Sequence, residues 1–145
     1  MPRKSVKRRK SVKRKSVRKQ RGGAENAKLL AKRVAGLIQA DEEYFNDNAE
    51  LDKIAEKIGE TFSGSQMDTF IRTLNDYSLA NEFMDNYSWK ISLSCLHKDN
   101  IGVFQHVVYY LGDEEQVRMI CSRAGNKIRQ YCDKEYYSIL TWIKQ

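Results

Sequence analysis

Ser88-Trp89-Lys90-Ile91-Ser92-Leu93-Ser94-Cys95-Leu96-His97 is the stretch that separates an all-helical chain from a mixed one. Trp89, Ile91, Leu93 and Cys95 alternate with Lys90, Ser92 and Ser94, the period-two pattern of a half-buried strand. Trp89, Leu93 and Leu96 equally fit one face of a helix. No second alternating run offers a partner, so a lone strand here would leave its backbone donors and acceptors unmatched. The reading is therefore helix, and the fold class is all-α.

The segments on either side support that reading. Toward the C-terminus, Asp99-Asn100 caps a helix over Ile101 to Leu111 with Phe104, Val107, Val108 and Leu111 on one face, and Gly112 ends it. Asp113 to Gln116 caps the next, which carries Val117, Ile120, Cys121 and Ala124 before Gly125. Lys127 to Gln145 forms one helix or two, with Ile128, Tyr131, Tyr136, Ile139, Leu140 and Ile143. Toward the N-terminus, a helix over about 78–87 carries Leu79, Phe83, Met84 and Tyr87. A short one before it, with Met67, Phe70, Ile71 and Leu74, opens on the capping box Ser65-Gln66-Met67-Asp68. Asp47-Asn48 caps a helix whose apolar face is Leu51, Ile54, Ala55, Ile58 and Phe62, with Ser63-Gly64 as its stop.

The first helix of the domain is expected from about Ala24 to Phe45. Ala27, Leu30, Val34, Leu37 and Tyr44 recur at helical steps, and Leu29, Ile38 and Phe45 broaden the stripe. It is long for a small domain and serves either as a spine or as a dimerising element, so a homodimer is one of two readings. The only proline is Pro2, so nothing interrupts the rest. Residues 24–145 thus read as one compact domain of seven or eight mostly short helices, long enough to bury a real core.

Residues 1–23 are of another kind. Arg-Lys-Ser-Val occurs three times, beginning at Arg3, Arg9 and Arg14. Of the chain's 26 basic residues, 12 lie here: Arg3, Lys4, Lys7, Arg8, Arg9, Lys10, Lys13, Arg14, Lys15, Arg18, Lys19 and Arg21. None of the 19 acidic residues does, so the remainder carries 14 bases against 19 acids. The net +7 is therefore an arm of +12 on a domain of −5. Val6, Val12 and Val17 make no continuous apolar stripe along a helix, which argues against a membrane-lying amphipathic helix. The segment cannot bury enough apolar surface to offset its ordering entropy and is expected to be a disordered cationic arm, reaching up to roughly 70 Å when extended. Gly22-Gly23 is its joint to the domain.

Such an arm meets polyanions by releasing their counterions. It holds no aromatic and, apart from Gln20, no side-chain amide, so it carries no means of reading base sequence. The expected partner is DNA or RNA, bound non-specifically through the twelve bases. Lys7-Arg8-Arg9-Lys10 and Lys13-Arg14-Lys15 have the form of nuclear localisation clusters. Arg8-Arg9-Lys10-Ser11-Val12 resembles a basophilic kinase substrate, with Ser5 and Ser16 as further phosphorylation candidates. Three phosphates would cancel roughly half of the arm's charge.

The repeated Arg-Lys-Ser-Val arm resembles the Lys/Arg/Ser-rich tails of linker-histone-like proteins and of virion proteins of large DNA viruses. The resemblance covers residues 3–21 and implies a DNA-packaging or particle-assembly setting. It assigns no role within residues 24–145.

Chemistry has little to stand on. His97 and His106 are the only histidines, and no CxxC or HxxxH pair frames a zinc site. No glycine pattern cradles a phosphate. Cys95, Cys121 and Cys132 are odd in number and unpatterned, which fits a reducing interior, with Cys95 and Cys121 as small core hydrophobes and His97 on the surface. Asp113-Glu114-Glu115 suits a helix start. Tyr109, Tyr110, Tyr131, Tyr136, Tyr137 and Trp142 would stack on bases if gathered on a basic face with Lys127, Arg129 and Lys134, but core packing accounts for most of them. No catalytic residue, metal or cofactor is expected. The longest apolar run, Val107 to Leu111, is too short to span a bilayer, and no signal peptide is expected, since the basic N-terminus has no apolar stretch behind it.

These readings converge on a non-enzymatic, intracellular binding protein, nuclear or particle-associated, whose acidic helical domain contacts a protein partner and places the arm. The alternative is a structural component of a large particle, a minor capsid or cementing protein whose arm threads between subunits.

Overall fold

The computed structural model describes the backbone of residues 5–40 and 48–144, and the side chains of residues 23–40 and 48–143. The chain is all-α: α1 Ser5–Ala40, α2 Ala49–Thr61, α3 Gly64–Asp76, α4 Ala80–Lys98, α5 Ile101–Val107, α6 Glu114–Arg123 and α7 Asn126–Lys144. Among the described residues one 3-10 turn, Val108–Tyr110, extends α5, and there is no strand. The first helix, expected from about Ala24, is described in its backbone from Ser5, so Gly22-Gly23 falls within α1. The side chains of the arm, the stretch of the first helix beyond Ala40 with Tyr44 and Phe45, and the Asp47 part of the second cap lie outside the described residues.

The stretch that decided the fold is the C-terminal half of α4, the longest of the central helices. Phe83, Met84, Tyr87, Ile91 and Cys95 form its apolar ridge, and Ser88, Ser92 and Ser94 are buried with them. Burial of the serines is what imitates a strand: α4 packs against α2, α3, α5 and α6, so its small polar residues face neighbours rather than water. Small side chains let those neighbours approach. On α2, a Cβ built on Gly59 would lie 2.5 Å from the Ser94 Cβ and 2.6 Å from the Ile91 carbonyl oxygen. Only glycine fits that crossing. Ser88 Oγ donates to the Tyr110 carbonyl at 3.1 Å, whereas Ser92 Oγ has no hydrogen-bond partner among the described residues.

Most local signals hold, with shifts at the ends. Asn48 caps α2 by accepting from the amides of Glu50 and Leu51. The capping box of α3 is built by Ser63 and not Ser65: Ser63 Oγ accepts from Gln66 N at 3.1 Å, and Gln66 Oε1 accepts from Ser63 N at 2.8 Å. Glutamine at the third helical position completes the reciprocal pair, which the aspartate in the Ser65 frame does not. Ser78 is not helical; it occupies the left-handed region at φ 59°, and α4 begins two residues later. On α1, Ala27, Ala31, Val34, Ala35 and Ile38 are buried against α3, but Leu29 is 62% exposed and is no part of the stripe. Residues 126–144 form one helix.

Two residues between α4 and α5 tie the bundle together. Asn100 caps α5 through the Val103 amide, and its Nδ2 donates to the carbonyls of Gly59 and Phe62 at 2.9 Å each, closing the end of α2. Asp99, left-handed at φ 51°, ends α4. Its carboxylate then accepts from the Lys127 and Ile128 amides at 2.7 and 2.9 Å, capping α7 from outside that helix.

Candidate functional site

The twelve basic residues of the arm and Ser5, Ser11 and Ser16 have side chains outside the described set. Their continuation on α1 is visible: Lys28, Lys32 and Arg33 are exposed, and Arg33 pairs with Glu50 of α2. Gly23, the joint, is held where Gln66 Nε2 donates to its carbonyl at 3.1 Å. The root of the arm is thereby anchored at the start of α3.

The aromatic residues of the C-terminal third divide into two groups. Tyr136 and Tyr137 border a hollow of about 450 Å³ between α6 and α7, beside Arg118 and Arg129. Both arginines are already engaged there. Arg118 pairs with Glu114 at 3.0 Å, and Arg129 donates to the carbonyls of Ala124 and Ser122 at the end of α6. Tyr109, Tyr110 and Trp142 instead line a groove of about 630 Å³ between α4, α5 and α7, together with Asn81, Gln105 and His106. Tyr131 runs inside between the two groups. Its hydroxyl lies 2.9 Å from that of Tyr109, and burial followed by this hydrogen bond raises its pKa. Tyr109 in turn meets Trp142 edge to face at 5.9 Å. The groove lining contains no lysine or arginine among the described residues, so the gathering of all these aromatics on one basic face is not what the fold produces.

The cysteines correct the expectation of unpaired thiols. Cys121, half-buried on α6, is bonded to Cys132 on α7 across 5.9 Å between Cα atoms. Cys121 is therefore half of a disulfide and no simple core hydrophobe. Spacing alone carries no signal for this, since the bond depends on α6 and α7 folding back on each other about Gly125. Cys95 is the buried free thiol expected, and burial pushes it up to about 12. A disulfide belongs to oxidising settings more than to the reducing interior inferred from the cysteine count.

His97 is on the surface, 3.9 Å from Glu60. Among the described residues no group of three or more His, Cys, Asp or Glu side chains is placed to hold a metal ion. No described helix is long and apolar enough to cross a membrane. No protein-family model matches the chain, and no curated protein or solved structure matches it significantly.

Proposed function

We propose that this is a non-enzymatic binding protein that holds nucleic-acid phosphates through its cationic arm, without regard to sequence, while the helical domain makes protein–protein contacts. The observation that carries it is the charge partition: 12 bases and no acid in the first 21 residues, against 14 bases and 19 acids in the rest. An arm of +12 gains from counterion release on any duplex, and a domain of −5 keeps the remaining surface from competing for phosphates. The anchoring of Gly23 by Gln66 gives the arm a fixed root on the domain.

The test is a salt titration of duplex DNA binding. Full-length protein is compared with a full-length variant in which the twelve arm bases are glutamine. A steep fall of affinity with salt in the first, and no binding in the second, is the expected result. Equal binding by both, or none by either at about 50 mM salt, overturns the reading.

A second reading, a structural component of a large particle, is favoured by one observation. The Cys121–Cys132 bond suits a particle surface better than a nucleus.

A further inference from the structure

We infer that the hollow between α1 and α2, at the root of the arm, is a phosphate-binding site of the domain that grips the same nucleic-acid backbone as the arm. The inference rests on the reading of the arm as a phosphate binder and extends it to named residues of the domain.

The hollow exists because α1 and α2 dock on different partners. α1 packs chiefly on α3 and α2 on α4, which leaves a gap of about 440 Å³ between α1 and α2. Leu30 and the buried Phe62 form its apolar part. Its polar lining is Asn26 and Arg33 from α1, Lys57 and Thr61 from α2, and Gln66 from α3. Each of these side chains donates hydrogen bonds, and among the described residues no carboxylate lines the hollow. Thr61 and Gln66 are spent on the carbonyls of Lys57 and Gly23. Asn26 and Lys57 are not: among the described residues their side chains form no hydrogen bond or ion pair. Arg33 pairs with Glu50 through one nitrogen, and its guanidinium keeps further N–H groups for a second acceptor. A lining of donors without an acid suits an anion.

The acidity of the domain is not spread evenly around it. On α2, Asp52 pairs with Lys90 and Glu60 lies 3.9 Å from His97, so both acids are engaged by α4. Lys53 stands one turn before Lys57 and extends the basic side of α2. On α1, Lys28 and Lys32 are exposed. Against Lys28, Lys32, Arg33, Lys53 and Lys57 stand Glu25, Glu50 and Glu56, which leaves this edge net positive on an acidic domain.

Position selects the ligand. Gln66 lines the hollow and also holds the Gly23 carbonyl, and Arg21, the last base of the arm, comes five residues before Asn26. α1 runs without a break from Ser5 through Arg33. A strand held by the arm is thereby delivered to the hollow at high effective concentration, where contacts too weak to bind alone add to affinity. Asn26 to Arg33 covers roughly 10 Å of helix, which matches two or three phosphates of one strand at about 3.4 Å each.

The experiment is fluorescence anisotropy of a labelled duplex with full-length protein across a range of salt. Lys57→Gln, which breaks no ion pair among the described residues, should reduce the slope of log affinity against log salt by about 1, and Lys57→Gln with Arg33→Gln by about 2. At about 100 mM salt the double variant should bind roughly tenfold or more weakly. The charge-matched control Arg123→Gln, Lys134→Gln, at exposed positions of α6 and α7, should leave the slope unchanged. In NMR spectra of the wild type, duplex should shift the Asn26 side-chain amide together with the backbone amides of Arg33 and Lys57. Wild-type slope and affinity in the double variant would overturn the inference and leave the arm reading intact, whereas no binding by the wild type would remove both. An equal fall in the control would also overturn it, because net charge and not the hollow would then set the slope. Shifts at these positions with poly-glutamate but none with duplex would give the hollow to an acidic protein instead.

Discussion

A Cβ placed on Gly125 would lie 3.2 Å from Cγ of Asp99, because that carboxylate occupies the capping position over α7 that Gly125 has no side chain to fill. One aspartate thus closes α4 with its backbone and opens α7 with its side chain. Amide hydrogen bonds from Ile128 first, then Lys127, hold its carboxyl below the ordinary value of 3.8. Asp99→Ala is expected to cost about 1 kcal/mol of unfolding free energy, the usual worth of an N-cap. Because the folded carboxyl is the stronger acid, its contribution is complete above about pH 3.8 and drains away as pH falls through the lowered folded value. Urea melts across pH 2–7 check this: Asp99→Asn should lose part of that acid-side slope and leave the rest of the curve shape intact.

Gly59 is expected to tolerate no side chain. Its missing Cβ leaves room for Ser94 and for the carbonyl of Ile91, and the carbonyl cannot move without displacing α4. Gly59→Ala should lower stability by about 1–3 kcal/mol despite the better helix propensity of alanine. Trimming Ser94 to glycine in the same chain should recover only part of the loss, since the contact with the backbone oxygen remains. Full recovery in chemical denaturation would mean that the α2–α4 crossing is looser than its distances indicate.

Thiol counting separates the three cysteines. Native protein should give no rapid reaction with a thiol reagent, because Cys121 and Cys132 are bonded and Cys95 is buried with its thiol pushed up to about 12. Denatured protein should give one thiol, and denatured, reduced protein all three. Replacing both Cys121 and Cys132 by serine should cost about 2–4 kcal/mol, equal to the effect of adding reductant to the wild type. A native count of two reactive thiols would mean that the α6–α7 bond does not form.

Phosphorylation of the arm is expected to act through charge alone. Replacing Ser5, Ser11 and Ser16 by glutamate lowers the arm from +12 to +9. Duplex DNA binding should weaken roughly three- to tenfold at about 100 mM salt, with a shallower dependence on salt. Fluorescence anisotropy with two unrelated duplexes measures both quantities. Unchanged affinity would remove the proposed switch.

Much of the helical framework was legible because the signals that set it are local. Leu51, Ile54, Ala55 and Ile58 recur at helical spacing and are all buried, and Asn48, Asn100 and Asp113 cap the helices they precede. Where local signals competed, the outcome turned on neighbours. Ser63-Gly64 reads in sequence as the stop of α2 and Ser65 as the start of the next cap, but it is Ser63 that has a glutamine three residues on that can reach back. Leu29 matched the stripe of α1 in sequence but falls at its edge, where no helix covers it. The aromatic groove was legible only as scattered aromatics: Tyr109 and Trp142 are 33 residues apart, and nothing in either neighbourhood announces the other.

By itself, the sequence determined that residues 24–145 are helical and acidic and that residues 1–23 are a concentrated positive charge. Helical periodicity, capping and charge act over a few residues and can be read along a line. The tertiary structure alone decided that Cys121 meets Cys132, that Asp99 caps α7, that the serines of α4 face inward, and that Tyr109, Tyr110 and Trp142 share one groove. Each of these joins residues from different helices, and their distance is set by how the helices dock. Docking is a property of packed surfaces, and no local pattern encodes it.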